Sequence, residues 1–261
     1  MERALELQPD LVILSLWQQG TSHAALAQFA ALGIPVAFVD MFVDPIAHTG
    51  PSLKLLGTLL GQPQAGAAYA AFHAQKLDTI RAAGLSTHPQ SVMLQVYPGM
   101  MECCWVAGRS GFGQYIPLAG GSEIGAAQFA APFGGHLALE YVLKSDPRFY
   151  IATGLSATSG NQGLVIGFGV DNATASASLA HVLQVPEIAA IPAVAAQRGF
   201  GLWNFFNGSP LNILAIEIMA EWFQPDLAQK AGLNANASFA QIREQFLHKD
   251  LTGTLWVASP T

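Results

Sequence analysis

An α/β fold with parallel-type sheets flanked by helices is predicted by three observations. Apolar runs of strand length recur, helix-like stretches separate them, and Gly or Pro punctuates the junctions. A continuous apolar run fits a strand buried on both faces. Alternation of such strands with helices builds a parallel sheet covered on both sides.

The elements follow in order. Ala4, Leu5 and Leu7 make a short helix closed by Gln8-Pro9. Leu11 to Leu16 is the first buried strand. Ser22 caps a helix from Ala24 to Leu32, ended by Gly33. Pro35 leads into a second buried strand, Val36 to Asp40. Residues 41–62 read as loop and short helix. An Ala-rich helix runs from about Ala65 to Ala83, with Tyr69, Phe72, Leu77 and Ile80 at helical spacing. Ser91 to Tyr97 is the next strand. After a Gly-rich loop come helices near 113–119 and 136–145, then a strand from Phe149 to Thr153. Two late helices, Leu211 to Trp222 and Phe239 to Leu247, precede a short strand, Thr254 to Val257.

Composition narrows the function. The 261 residues are 51% hydrophobic and only 11% charged, with a net charge of −6. Mean hydropathy is +0.35 and the pI about 5.5. An acidic chain lacks the basic footprint of a nucleic-acid binder. Gly, Pro, Asn and Gln break the apolar stretches before they reach the roughly 18 residues a membrane span needs. No basic stretch followed by an apolar core marks a signal peptide. The two cysteines, Cys103 and Cys104, are adjacent. Neighbouring Cα atoms lie about 3.8 Å apart, short of the ordinary disulfide range, so two buried thiols are expected rather than a vicinal ring.

Enzyme signatures are weak. Gly167-Phe168-Gly169 lacks the third glycine of a dinucleotide loop, and Asp171 would repel a pyrophosphate. Gly154-Leu155-Ser156-Ala157-Thr158 lacks the closing glycine of a nucleophile elbow. None of the seven histidines has a metal-ligand spacing. His136 and Glu140 form an i, i+4 pair on the expected 136–145 helix, which reads as structural.

An internal echo suggests two related lobes. Glu2 precedes Pro9 and a buried strand; Glu140 precedes Pro147 and another, at the same separation of seven residues. Each lobe would thus present one Glu at an equivalent place. Aromatics gather at strand ends: Trp17 after the first strand, Met41 and Phe42 after the second, and Tyr97 at the third, with Trp105 soon after. Trp203, Phe205 and Phe206 crowd before Asn207-Gly208-Ser209-Pro210. Carboxyl ends of parallel strands are where such sheets bind ligands, and large rings there suit a bulky guest.

Five segments carry a family resemblance. Glu2 to Ile13 is similar to an "E-x-I-L-x-L-K-P-D-L-V-I" pattern. The others are Leu32-Gly33-Ile34-Pro35-Val36, Ala119-Gly120-Gly121-Ser122-Glu123-Ile124 (compare "A-G-G-x-N-I"), Leu139 to Gly154, and Trp203 to Pro210. In this order they resemble the substrate-binding proteins of iron–siderophore, haem and cobalamin ABC importers.

The resemblance implies two α/β lobes joined by one long helix, with a ligand cleft between them. The expected division is an incomplete N-terminal lobe at 1–64, a linking helix at 65–84 and a C-terminal lobe at 85–261. It further implies a periplasmic, non-enzymatic protein without a cofactor of its own, delivering a small-molecule metal chelate to an inner-membrane ABC permease. Glu2 and Glu140 match the glutamates that dock on permease arginines through charge-assisted hydrogen bonds. A ferric siderophore is the expected ligand. Trp17, Met41, Phe42, Tyr97, Trp105, Trp203 and Phe206 would supply ring and sulfur contacts, with polar help from Arg109 and Asn207. Haem bound through Tyr97 or cobalamin are alternatives within the family; a metal-dependent α/β enzyme and a fragment that only mediates association are alternatives outside it. A chain starting inside the first lobe would leave strand edges open, so a homodimer is also an expectation.

Overall fold

The structure, a computed structural model, describes residues 5–101, 103–157, 163–247, 249 and 251–259. Its first lobe holds two parallel strands, β1 (Val12–Ser15) and β2 (Val36–Val39), linked by helix α1 (His23–Ala31). Val12 pairs with Val36 and Ser15 with Val39, so both strands end at the same edge. This sheet is only partly covered, and Ile13 stays 37% exposed.

Two helices then turn back on each other, α2 (Pro45–Leu59) and α3 (Pro63–Ala82). Helix α3 is the long helix that the sequence predicts, within two residues at its N-terminus. Helix α2 is a correction to the expected loop and short helix. Gly50, Pro51 and Gly57 look like breakers, yet Pro45 sits in the first turn and the Asp44 side chain accepts the Ala47 N–H at 3.2 Å. Glycines serve packing instead. A β-carbon on Gly66 would lie 2.5 Å from the Leu53 carbonyl oxygen and 3.0 Å from the Gly57 Cα. The two helices cross backbone to backbone there.

The second lobe is built on a seven-stranded sheet. Its centre is parallel: β3 (Gln90–Gln95) lies between β7 (Phe149–Gly154) and β5 (Gly121–Glu123), and β7 adjoins β9 (Gly199–Trp203). The sheet is mixed, however, because β4 (Trp105–Ala107), β6 (Gly134–His136) and β11 (Trp256–Ala258) add antiparallel pairings. Strands β8 (Gly167–Phe168) and β10 (Gly253–Thr254) form a small separate ribbon.

Side chains alternate across this sheet, which explains its continuous apolar runs. Val92, Leu94 and Ile151 pack on one face with α3, α4 (Phe112–Leu118) and α9 (Asn212–Phe223). Met93, Tyr150 and Ala152 pack on the other with α5 (Leu139–Ser145), α6 (Asn172–Leu183), α7 (Pro186–Ala189) and α8 (Pro192–Ala195). Helices α10 (Pro225–Lys230) and α11 (Ala235–Gln245) close the outside. Helix α9 is buried almost all round, from Ile213 to Ala220. Each fully buried Ile or Leu there contributes about 1.5–3 kcal/mol.

A polar rail fastens α3 to this core. Tyr69, His73 and Lys76 share one helix face. The Tyr69 hydroxyl donates to the Pro210 carbonyl at 3.0 Å. His73 Nε2 meets Asn212 Oδ1 at 2.8 Å, and Asn212 Nδ2 donates to Thr49 Oγ1 of α2 at 2.8 Å. Because Asn212 Oδ1 is an acceptor, His73 carries its proton on Nε2. Burial holds its pKa below the ordinary value, against the raising effect of the Asn212 bond. Lys76 Nζ donates to Ser238 Oγ at 2.7 Å and lies 3.6 Å from buried Glu217.

Two further expectations are corrected. Cys103 and Cys104 are joined as a vicinal disulfide rather than free thiols; the expectation assumed a trans spacing, whereas their Cα atoms are 3.0 Å apart. His136 ends β6, and α5 starts at Leu139, so His136 and Glu140 do not share a helix. Asp171 caps α6 by accepting the Thr174 N–H at 2.7 Å, in a region the periodicity left unassigned. Among the described residues no helix is long and apolar enough to cross a membrane.

Two predictions follow from this packing. Gly66→Ala forces α2 and α3 apart and lowers stability by about 1–3 kcal/mol; thermal unfolding reads this, and an unchanged Tm contradicts the close crossing. Glu123 is buried, with oxygens accepting from Leu94 N–H at 2.8 Å and Gly125 N–H at 3.3 Å. Burial nevertheless pushes its pKa up to about 8 from 4.5. The native state therefore keeps a proton that the unfolded chain loses above about pH 4.5, so stability falls as pH rises to about 8 and then levels. Between pH 5 and 8.5 the wild type should lose about 10 °C more in Tm than Glu123→Gln; parallel curves would refute the assignment.

Candidate functional site

The carboxyl ends of both sheets bring most of the candidate site residues together. In the first lobe β1 runs into a 3-10 turn at Leu16–Gln18, which holds Trp17 half-exposed. Strand β2 runs through Asp40 into the loop 41–44. Met41 is nearly buried there, whereas Phe42 reaches outward. Trp17 meets Phe42 edge-on, with ring centres 6.4 Å apart. Phe42 in turn stacks on Phe133 of the second lobe at 4.9 Å and 8°. Phe133 is 41% exposed, so this stack is an open contact between lobes rather than core.

In the second lobe the sheet order places the ends of β9, β7 and β3 side by side. Tyr97, two residues past β3, has a left-handed backbone (φ 49°) and donates its N–H to Thr153 Oγ1 at 3.3 Å. Its hydroxyl accepts from Asn204 Nδ2 at 2.6 Å. Burial raises the Tyr97 pKa, and the Asn204 bond only partly opposes this. Past β9, Trp203 packs edge-on against Phe168, Phe205 and Phe206, at 5.1, 5.6 and 5.6 Å. Phe206 is fully buried, so it supports the site from beneath and cannot face a guest. Phe205 is 54% exposed. The turn continues through Asn207, which abuts Gly111, to Gly208, whose β-carbon position lies 4.0 Å from Phe42 Cβ. The aromatic groups of the two lobes therefore adjoin.

The turn beneath these rings is short of partners. Trp203 Nε1, Asn204 Oδ1 and Asn207 Oδ1 are buried without a hydrogen bond. A buried polar atom left unpaired costs roughly 1–3 kcal/mol, so this turn is under-satisfied within the protein alone. Positive charge is sparse. On the loops 15–18, 41–44, 97–101, 108–111, 132–134, 155–157, 163–167 and 203–210, Arg109 is the single Lys or Arg. It is exposed, and its Nη2 donates to the Ala130 carbonyl at 3.2 Å. Among the described residues no group of three His, Cys, Asp or Glu is placed to hold a metal ion.

Not every expected site residue joins this group. Trp105 packs edge-on against His136 at 5.1 Å, and among the described residues no ring contact links it to Trp17, Phe42 or Trp203. Glu140 is exposed in the first turn of α5, as a docking carboxylate would need to be. Glu2 lies outside the described residues. Sequence reasoning missed Phe133, Asn204 and Asp40. Phe133 sits alone between Pro132 and Gly134, with no periodicity to signal its role.

Comparisons with known proteins agree with this architecture. The chain is 27% identical over 162 residues to the vitamin B12-binding proteins of Yersinia pestis (strain Pestoides F) and Yersinia pseudotuberculosis serotype O:1b (strain IP 31758). The match covers 62% of this chain and 55% of each relative, so the chain spans about half the length of the curated relatives it matches. Among solved structures it is similar to the TroA-like periplasmic binding protein FepB from Veillonella parvula. The TM-score there is 0.81 at 16% identity, covering 99% of this chain and 75% of that one. It is also similar to the periplasmic haem-binding protein RhuT from Roseiflexus sp. RS-1 in apo form, at TM-score 0.65 and 24% identity, covering 87% and 80%. At these identities the structural likeness speaks to the fold. A family model described as periplasmic binding protein matches residues 1–202, and the chain belongs to that family.

Proposed function

We propose that this protein binds a corrinoid in the gap between its lobes, in the periplasm, and hands it to an ABC permease. One observation carries the choice of ligand: the gap is lined by rings and neutral amides, with a single cation. A ferric siderophore, the expectation from sequence, commonly carries several negative charges, and haem carries two carboxylates. Either would desolvate anions against one exposed arginine, which is unfavourable. A corrinoid instead offers a broad apolar ring edged with neutral carboxamides. Its N–H groups would suit the Asn204 and Asn207 oxygens, and its carbonyls the Trp203 N–H, once these buried, unpaired groups turn toward the guest. The vitamin B12-binding relatives support the same reading.

In this reading residues 1–64 and 85–261 are the two lobes, linked by α3. Exposed Glu140 meets an arginine of the permease, with Glu2 as its counterpart. Both walls of the gap come from one chain, so the site needs no second copy.

Titration calorimetry with cyanocobalamin, haemin and a ferric triscatecholate tests the proposal. Cyanocobalamin should bind at micromolar concentration or below, and Trp203→Ala should weaken it at least about tenfold, near 1.4 kcal/mol, with the fold intact. Binding of the triscatecholate but not the corrinoid would reinstate the siderophore reading. A haemin Soret band lost in Tyr97→Phe would establish haem.

A further inference from the structure

Asp40 touches none of the site rings, yet it holds the loop that carries one of them. It lies just past β2 and is 4% exposed. Its Oδ1 accepts the N–H groups of Phe42 at 2.9 Å and Val43 at 2.7 Å. Its Oδ2 accepts the Asp44 N–H at 2.9 Å and faces His48 Nδ1 at 2.7 Å. Its own backbone is fixed as well. The Asp40 N–H donates to Ser52 Oγ at 2.9 Å, and that hydroxyl donates back to the Asp40 carbonyl at 3.1 Å. One carboxylate thus gathers consecutive amides of the loop 42–44 and ties them to α2.

This is more than helix capping. Helix α2 has its own cap in Asp44, whose side chain takes the Ala47 N–H. The Asp40 bonds go instead to the segment that carries Phe42 toward Phe133, across the lobe boundary. Burial favours the protonated acid, but His48 and the three amides outweigh it and hold the carboxyl below its ordinary range. It remains the anionic acceptor that this geometry requires.

We propose that Asp40 is a positioning residue for ligand capture: by clamping the 42–44 amides it fixes the Phe42 ring at the mouth of the gap. The inference rests on the ligand site proposed above and assigns the origin of its preorganisation. A ring held in place beforehand loses less freedom when the ligand arrives.

A double-mutant cycle separates positioning from general stabilisation. Asp40→Asn replaces one acceptor oxygen by a donor, and should weaken cyanocobalamin binding by about tenfold. Phe42→Leu should weaken it by at least as much. In the Phe42→Leu background Asp40→Asn should cost less than about twofold, because the ring it positions is gone. His48→Ala removes one half-exposed partner; its smaller loss should vanish in that background too, and this arm stands even if Asp40→Asn does not fold. A loss that persists in full without the Phe42 ring overturns the proposal.

Amide hydrogen exchange supplies a readout that needs no ligand. The Phe42, Val43 and Asp44 amides should exchange slowly in the wild type and fast in Asp40→Asn or, more modestly, in His48→Ala. Fast exchange in the wild type overturns the clamp. If the wild type binds none of the three test ligands, the assigned function falls and Asp40's part in capture with it, while exchange still decides whether the clamp exists.

Discussion

The arrangement depends on how α3 is fastened. A helix that merely connected two lobes would leave the gap between them undefined. Here Asn212, at the start of α9, takes His73 of α3 with one end of its amide and Thr49 of α2 with the other. Tyr69 and Lys76 extend the same face on either side. Every group in the His73–Asn212–Thr49 chain is buried, so breaking one bond strands its neighbour. The helical pair α2–α3 is therefore fastened to the second lobe's core. Gln114 of α4 adds a further tie by accepting the Ile46 N–H at 3.3 Å. With the helices fastened in this way, the loop after β2 meets the second lobe at the Phe42–Phe133 stack.

Given that frame, the chemistry of the gap follows from what the strand ends carry. Rings from both lobes meet at Phe42 and Phe133, and a turn rich in asparagine lies beneath. Aromatic side chains give large contact area for few rotatable bonds, and neutral amides orient a guest without demanding a counter-charge. The scarcity of charge in the whole chain, 11% of residues, is concentrated into near-neutrality at this surface. In the proposed reading, recognition there rests on shape and hydrogen bonding rather than on ion pairing.

Much of this was legible before any coordinates. Buried parallel strands announce themselves as unbroken apolar runs, as at Leu11–Leu16 and Phe149–Thr153. The spacing of Tyr69, Phe72, Leu77 and Ile80 marks α3. Trp17, Phe42 and Tyr97 could be placed at strand ends because strand ends follow from the runs. What stayed hidden depends on partners distant in sequence. Strand β9 contains two glycines and reads poorly as a strand; side chains of Leu183, Leu164 and Val257 fill the space its missing β-carbons leave. Helix α2 contains Gly50 and Pro51, and its stability comes from packing on α3 rather than from propensity. Phe133 owes its role to a ring 91 positions earlier, and Asp40 to amides that only the folded loop turns toward it. Phe206 shows the opposite error: its sequence neighbours suggest a ligand contact, but the turn points it into the core.

The central claim is that one guest is held by both lobes at once. A crystal structure of the protein with bound cyanocobalamin tests it most directly. The account predicts the corrin ring in contact with Phe42 of the first lobe and Trp203 of the second, with peripheral amides meeting Asn204 or Asn207. A ligand seated on one lobe alone, or away from the 203–207 turn, would contradict it.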